Sequence, residues 1–86
     1  MYTISVEKKA AKVLSKLDAK TYRIISKATL KLEEFNLQKN LDIKMLKGKY
    51  VGMYRLRIGS RRVFFTVDER GSKLKIWLIE NRGEAY

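Results

Sequence analysis

The sequence predicts a small α+β fold in which an antiparallel meander sheet is covered on one face by a helical hairpin. Residues 53–58, 61–67 and 73–79 alternate apolar and polar side chains, as strands with one buried face do. Residues 7–17 and 18–35 repeat apolar side chains at helical spacing. With a first strand at residues 2–6, the predicted order is β-α-α-β-β-β, and 86 residues fit one domain that spans 1–86.

The first half of the chain contains the predicted short strand and the two amphipathic helices. Tyr2, Ile4 and Val6 alternate with polar neighbours, which is the period of a strand. Asp18 precedes the second helix, where its side chain can cap the first turn. Residues 36–50 are polar and basic with isolated apolar positions, and they predict a connection that packs only partly on the core. The apolar stripe of the second helix consists of Tyr22, Ile25, Ala28, Thr29, Leu32 and Phe35.

Short turns join the three predicted strands of the second half. Gly59-Ser60 separates the first two, and residues 68–71 separate the second from the third. Strands joined by such turns form an antiparallel meander, and a helical hairpin covers only one face of it. The opposite face is therefore left for solvent or for a partner.

The charge of the chain is strongly positive and unevenly distributed. Formal net charge is +11, of which residues 44–86 carry +7 and residues 1–43 carry +4. Six of the seven arginines lie in the second half, and the planar guanidinium donates two parallel hydrogen bonds to a phosphate. Such a charge also serves solubility alone, but its concentration in the strands predicts a polyanionic partner, with RNA favoured.

Two residue types that carry much of enzyme chemistry are missing from the sequence. The chain has no Cys and no His, which excludes Cys/His zinc sites and nucleophiles activated by an imidazole. Its carboxylates fall in predicted caps, loops and turns and form no convergent pair, so we expect no metal and no cofactor. Without a signal peptide or an apolar run long enough for a membrane span, the sequence predicts a cytoplasmic protein with no membrane partner.

Strand alternation assigns side chains to the two faces of the sheet. Leu74, Ile76 and Leu78 fall on the covered face, which leaves Ile79 on the uncovered one. Guanidinium and ammonium groups neutralise phosphates while aromatic rings stack on bases, so the uncovered face suits single-stranded nucleic acid. The remaining residues assigned to the uncovered face are Arg55, Arg57, Arg62, Phe64, Lys75 and Trp77.

The arginines and the aromatic residues of this face bear differently on the prediction that it binds nucleic acid. Arg55 and Arg57 stand about 7 Å apart on one face, where like charges repel unless an anion lies between them, and this predicts an anion site. The aromatic residues have an alternative role, because Phe64 and Trp77 are equally compatible with core packing under a loop or terminus.

Three runs in the second half carry a family pattern. They are Met45-Leu46-Lys47-Gly48, residues 54–65 (YRLRIGSRRVFF) and residues 81–86 (NRGEAY). These runs resemble the RelE/ParE superfamily of bacterial and archaeal toxins, and the predicted order of elements is also that of the superfamily. RelE members enter the ribosomal A site and cleave mRNA, whereas ParE members poison DNA gyrase.

The resemblance implies a type II toxin that acts as a ribosome-dependent endoribonuclease, with mRNA, the ribosome A site and a cognate antitoxin as partners. The alternatives are a ParE-like gyrase inhibitor and an inactive nucleic-acid-binding relative. Typical members have lysines where Arg55 and Arg57 stand, and some use a histidine that this chain lacks. The implied catalytic residues are Arg55, Arg57, Arg62, Arg82 and Tyr86, and the implied RNA-binding residues are Lys47, Lys49, Phe64, Lys75 and Trp77.

The reaction implied for the RelE branch is attack of a ribose 2′-OH on the adjacent phosphate. Arg62 fits the stabilisation of the phosphorane, Arg82 the protonation of the leaving oxygen, and Tyr86 base stacking or proton donation. Arginine is a poor base, so Arg55 and Arg57 are expected to orient the RNA. Lys47, Lys49 and Glu84 remain open as the base. Tyr22, Ile24 and Phe35 offer apolar docking points for an antitoxin unless they are ordinary core residues.

Overall fold

The computed structural model describes residues 2–37, 42–48 and 52–81. The chain runs through a strand, two α-helices and a 3₁₀ segment before four further strands. The elements are β1 (Thr3–Val6), α1 (Lys8–Ser15), α2 (Ala19–Leu30), the 3₁₀ segment (Lys31–Leu37), β2 (Asp42–Met45), β3 (Met53–Ile58), β4 (Arg61–Asp68) and β5 (Lys73–Asn81).

The strands form one sheet in the order β1-β5-β4-β3-β2. β1 pairs parallel with β5, and the other neighbours are antiparallel. The predicted hairpin turn closes where Ile58 pairs with Arg61, and Gly59 has a φ of 59°, which an L side chain rarely adopts. The predicted α+β fold with an antiparallel meander is therefore confirmed, within a larger mixed sheet.

β2 is a strand that the sequence analysis missed. Part of the stretch predicted as a connection, residues 42–45, pairs antiparallel with β3, so that Asp42 lies opposite Arg57 and Lys44 opposite Arg55. The prediction was wrong here because β2 is a short edge strand: Ile43 packs on the core, while Met45 is 57% exposed. The alternation of apolar and polar residues in 42–45 is too short to predict a strand. The strand forms because these residues pair with β3.

Side-chain caps begin both α-helices. The Glu7 carboxylate accepts a hydrogen bond from the Lys9 backbone N–H at 2.9 Å, which lowers the pKa of Glu7. The Asp18 carboxylate accepts one from the Thr21 backbone N–H at 3.3 Å, and hydrogen bonding to Thr21 lowers the pKa of Asp18. The predicted Asp18 cap is confirmed.

The core lies between the sheet and the helical side of the chain. Leu56 of β3 and Phe65 of β4 are fully buried, and Phe65 stacks on Tyr54 with ring centroids 5.4 Å apart. The helical side contributes Ala10 from α1 and Leu32 from the 3₁₀ segment. The other fully buried members of this cluster are Val63 and Leu74, with Ile76 and Ile79 almost fully buried.

One residue of the predicted apolar stripe, Tyr22, lies differently from the prediction. Tyr22, placed on the apolar stripe of the second helix, is 48% exposed, and Ile24 is 50% exposed. The reason is that α2 turns Ile25 inward and ends at Leu30, so its buried surface is narrower than a helix continued to residue 35 would give. Neither residue is an ordinary core residue, and the side chain of Phe35 lies outside the described residues.

A bulge in β5 exchanges the faces of two apolar residues. The register shifts so that Phe65 pairs with Ile76 but Phe64 pairs with Leu78, which leaves Trp77 as the extra residue. Beyond the bulge, Ile79 pairs with Val63 and is 3% exposed, whereas Leu78 lies on the same face as Phe64. The prediction that put Leu78 in the core and Ile79 on the uncovered face was wrong, because an extra residue reverses the alternation.

Candidate nucleic-acid interface

Three arginines lie together on the face of the sheet that the helices leave uncovered. Arg57 of β3 is the direct cross-strand partner of Arg62 of β4. Arg55, two residues before Arg57 on the same face, lies opposite Phe64. Side chains directly opposite in an antiparallel pair have Cβ atoms about 4.5–5.5 Å apart, so the guanidinium groups reach a common ligand. We call Arg55, Arg57 and Arg62 the cationic strip.

Asp42 supplies the anion that the spacing of Arg55 and Arg57 requires. Its Oδ2 lies 3.0 Å from Nε of Arg57, and its Oδ1 lies 3.4 Å from Nη2 of Arg55. The prediction that an external anion must separate these arginines was incomplete, because an edge strand absent from the prediction brings a carboxylate between them. Glu80 of β5 is the cross-strand partner of Arg62. Two carboxylates against three guanidiniums leave the strip positive.

The ion pair with Asp42 leaves part of the Arg57 guanidinium available to a ligand. Asp42 bonds Arg57 through Nε, while the Arg57 side chain is 59% exposed. A guanidinium bonded through Nε keeps its two terminal nitrogens as a fork for phosphate oxygens. Asp42 therefore orients this arginine through Nε and not through the two terminal nitrogens.

Trp77 is an aromatic surface held in a defined orientation. As the extra residue of the bulge, it donates a hydrogen bond from Nε1 to Oγ1 of Thr66 at 2.8 Å. Nζ of Lys75 lies 4.2 Å from its ring centroid, within cation–π range. Trp77 is nevertheless 40% exposed, whereas Phe64 is only 7% exposed. Of the two proposed stacking residues, Trp77 is open to a base and Phe64 is packed into the surface beneath.

A groove of about 700 Å³ runs across this face beside the cationic strip. Its walls combine apolar side chains from β3, β4, β5 and the segment after β2 with charged groups from β3, β4, β5 and the start of α1. We call it the outer groove. It is lined by Glu7, Lys9, Leu46, Met53, Arg55, Arg62, Phe64, Trp77, Leu78 and Glu80.

The fold has counterparts among solved structures. The RelE–RelB complex from the archaeon Pyrococcus horikoshii OT3 contains a chain that is 30% identical to this one, with 98% of each chain covered and a TM-score of 0.81. The chain belongs to the RelE/ParE toxin superfamily. No protein-family model matches the sequence, and no match is found among curated proteins. The superfamily is therefore identified through the structure and that structural relative.

More distant members of the superfamily share the fold. The RelBE2 toxin–antitoxin complex from Mycobacterium tuberculosis matches with a TM-score of 0.81 at 21% identity, covering 94% of this chain and 98% of the other. The isolated RelE toxin of E. coli matches with a TM-score of 0.77 at 14% identity, covering 99% and 88%. At these identities the similarity establishes the common fold.

The structure places some of the site residues that the RelE/ParE resemblance implies on one face of the sheet. The three arginines of the cationic strip share one face with Phe64, Lys75 and Trp77. Lys47 is exposed just beyond β2. Lys49, Arg82 and Tyr86, together with Glu84, lie outside the described residues.

Asp42 and Glu80 are charged residues of this face that sequence reasoning did not assign to the site. Asp42 became recognisable only through β2, and Glu80 only through the bulge that sets the register of β5.

Across the described ranges, no group of three or more His, Cys, Asp or Glu residues is arranged to hold a metal ion. In the same ranges, no helix is long and apolar enough to cross a membrane.

Proposed function

We propose that this chain is the toxin of a type II toxin–antitoxin system and that it cleaves mRNA in the ribosomal A site. The observation that carries the proposal is the direct opposition of Arg57 and Arg62 on the uncovered face, with Arg55 beside them. A strip of guanidinium forks next to an exposed tryptophan suits a single RNA strand, since the forks bind phosphates and the ring accepts a base. Membership of the superfamily supports the toxin assignment.

The proposed reaction is metal-independent transesterification. The 2′ oxygen loses its proton and bonds to the adjacent phosphorus, the bond from phosphorus to the 5′ oxygen breaks, and that oxygen takes up a proton. The products are a 2′,3′-cyclic phosphate and a free 5′-OH. Arg62 stabilises the extra negative charge of the phosphorane through fixed N–H donors, which is the largest electrostatic demand of the step.

Arg55 and Arg57 serve as positioning groups in this reaction. Arginine keeps its proton at neutral pH, so neither is suited to remove the 2′ proton. Holding the RNA backbone so that the 2′-OH lies in line with its phosphate contributes to the rate by itself. Asp42 limits the freedom of both guanidiniums through its two ion pairs.

Proton transfer is assigned to residues outside the cationic strip. We propose Arg82 for protonation of the leaving oxygen and Tyr86 for stacking on a base or donating a proton, following the superfamily pattern. Lys47, Lys49 and Glu84 are the candidates for the base. Lys47, Lys49, Lys75 and Trp77 are proposed to contact the RNA. Phe64, which is 7% exposed, is proposed to support that surface from beneath.

A cognate antitoxin is the second proposed partner. The relatives from Pyrococcus horikoshii and from Methanococcus jannaschii were both solved as RelB–RelE complexes. An acidic antitoxin segment would complement the positive face of this chain. Tyr22 and Ile24, which are about half exposed on α2, are proposed as apolar contacts for it.

The test is expression of the chain in cells followed by mapping of transcript 5′ ends. The proposal predicts new 5′ ends clustered inside translated codons, together with growth arrest. A gyrase inhibitor would instead give an SOS response with intact transcripts, and that result would overturn the proposed function. Arg62→Ala should abolish the cuts while the protein remains folded.

A further inference from the structure

A row of four charged residues crosses the uncovered face from β2 to β5. Asp42 is the cross-strand partner of Arg57, and Arg57 is the partner of Arg62. On the next strand, Glu80 is the partner of Arg62. Direct partners in an antiparallel pair lie on the same face, with Cβ atoms about 4.5–5.5 Å apart. The row therefore ends in a carboxylate on each side of the two arginines.

The two carboxylates at the ends of this row differ in their hydrogen bonding. Both oxygens of Asp42 contact arginines, at 3.0 Å from Nε of Arg57 and at 3.4 Å from Nη2 of Arg55. Oε1 of Glu80, in contrast, is buried and has no hydrogen-bond partner within the described part of the chain. An unpaired buried acceptor is costly to a folded protein, and a catalytic role is one explanation for it. Glu80 therefore has an acceptor left for a donor that the substrate brings.

We propose that Glu80 is the general base of the RNA cleavage and takes the proton of the attacking 2′-OH. The inference rests on the proposed function, in which the general base is left open. Glu80 and Arg62 both line the outer groove. Before reaction the attacking oxygen lies about 3–3.5 Å from phosphorus, so a phosphate bound to Arg62 brings the 2′-OH beside the cross-strand partner of that arginine.

The proton transfer completes the transesterification. The 2′-OH gives its proton to a carboxylate oxygen of Glu80 while the 2′ oxygen bonds to phosphorus. The bond from phosphorus to the 5′ oxygen breaks, and that oxygen takes up a proton from the acid, for which Arg82 is proposed. Glu80 then releases its proton to water. The step needs no metal ion and no second reactant.

The other candidate acceptors described on this face are less suited to remove a proton. The Glu7 carboxylate caps α1 through the Lys9 backbone N–H at 2.9 Å, which lowers the pKa of Glu7 and makes it a weaker base. Asp42 is held in two ion pairs. The ammonium of Lys47 has three donors and no acceptor until it loses a proton. Glu80 accepts a proton directly.

The test is single-turnover cleavage of a defined mRNA on ribosomes with an empty A site. Glu80→Gln should cleave about 10²- to 10⁴-fold more slowly than the unmodified chain, which is the usual contribution of a general base. Its affinity for RNA should not fall, because no positive group is lost. Glu69→Gln is the matched control, since Glu69 lies exposed in the turn between β4 and β5. This control should cleave at the unmodified rate.

Two further variants separate a general base from a residue that only supports the fold. Glu80→Asp keeps the carboxylate and displaces it by one methylene, so it should cleave about ten- to a hundredfold more slowly while remaining folded by circular dichroism. Glu80→Ala leaves space for a small carboxylate, and added formate should restore its rate by about tenfold or more. Formate should not restore Arg62→Ala, which retains the Glu80 carboxylate.

Full rate in Glu80→Gln or Glu80→Asp, or no response of Glu80→Ala to formate, would overturn the inference. An equal loss of rate in Glu69→Gln would overturn it as well. Failure of the proposed function gives a different result, because the unmodified chain would then leave the message intact. Cleavage by the unmodified chain with full rate in Glu80→Gln would reject the role of Glu80 alone.

Discussion

Arg57 lies between a carboxylate and a second guanidinium in one row across three strands. Asp42 of β2 is its partner on one side, and Arg62 of β4 is its partner on the other. The 3.0 Å contact from Nε to Asp42 offsets the repulsion that two neighbouring arginines would otherwise exert. The row therefore keeps two guanidinium groups on adjacent strands without an external ligand.

The cationic strip predicts a specific salt dependence of RNA binding. Arg57→Ala and Arg62→Ala should each weaken binding of a short single-stranded RNA. Each should also reduce the slope of log affinity against log salt by roughly 0.7, because each removes about one phosphate contact. Titrations at several salt concentrations measure this slope. Lys20→Ala on α2 is the matched control, because it removes one exposed positive charge on the helical side of the chain. An equal loss of slope in the control would mean that binding follows net charge and not the strip.

Asp42 is predicted to oppose RNA binding while ordering the arginines. Asp42→Asn removes a negative charge next to two guanidiniums, and one charge at about 4 Å in water is worth about 1 kcal/mol. We expect RNA affinity to rise by about two- to fivefold at low salt. The free energy of unfolding should change by less than about 1 kcal/mol, since exposed ion pairs contribute little. A fall in affinity would show that ordering of Arg55 and Arg57 outweighs the charge.

Trp77 is predicted to contribute a stacking interaction to RNA binding. Trp77→Ala should weaken binding by about 1–3 kcal/mol, while the salt slope stays unchanged because no phosphate contact is lost. Tyr22→Ala removes another aromatic ring, 48% exposed on α2, and should leave RNA affinity unchanged. Thr66→Val removes the hydrogen bond that orients the indole, and its effect on affinity should be smaller than that of Trp77→Ala. Full affinity in Trp77→Ala would exclude stacking at this position.

Phe65 is predicted to be the costliest core position among the aromatic residues of the meander. It is fully buried and stacks on Tyr54, so Phe65→Ala should lower the free energy of unfolding by about 3–5 kcal/mol. Leu30→Ala, at a position 59% exposed, should change it by less than about 0.5 kcal/mol. Denaturant unfolding followed by circular dichroism measures both variants. Similar values for the two would contradict the location of the core.

The Asp18 cap gives a stability term that depends on pH. Hydrogen bonding to Thr21 lowers the pKa of Asp18, so the folded state favours the ionised carboxylate. This stabilisation is complete above the ordinary carboxyl pKa of about 4 and is lost as pH falls through the lowered folded value. The melting temperature of Asp18→Ala should therefore be below that of the unmodified chain at neutral pH and should approach it in acid. Asp18→Asn is the control, because its side chain keeps a hydrogen-bond acceptor that does not titrate. If the melting temperature of Asp18→Ala stayed equally far below that of the unmodified chain in strong acid, the account would be contradicted.

The sequence predicts the meander and its arginines because period-two alternation is long and regular in β3 and β4. The faces of Arg55, Arg57 and Arg62 follow directly from that alternation, without knowledge of the tertiary structure. β2 escapes prediction because an edge strand with only Ile43 packed on the core carries almost no pattern of its own. The strand is defined by its pairing with β3, and the local sequence carries no information about that pairing.

The bulge at Trp77 limits prediction in a second way. A single extra residue reverses every face assignment that follows it, so Leu78 and Ile79 exchange places and Glu80 joins the uncovered face. No glycine marks this position in the sequence. The long-range partners Asp42 and Glu80 were therefore beyond sequence reasoning, although both shape the site that the arginines form.

The central claim, that guanidinium groups on the uncovered face hold RNA for strand cleavage, is tested most directly by cleavage on a programmed ribosome. Ribosomes carrying a defined mRNA with an empty A site are incubated with the unmodified chain, with the Arg57→Ala/Arg62→Ala double variant, or with Lys20→Ala. The account predicts one cut in the A-site codon, with 2′,3′-cyclic phosphate and 5′-OH ends, from the unmodified chain and Lys20→Ala. The double variant should lose at least a hundredfold in rate, because it removes the donor that stabilises the phosphorane and a group that positions the RNA. An intact message with the unmodified chain, or unchanged cleavage by the double variant, would contradict the account.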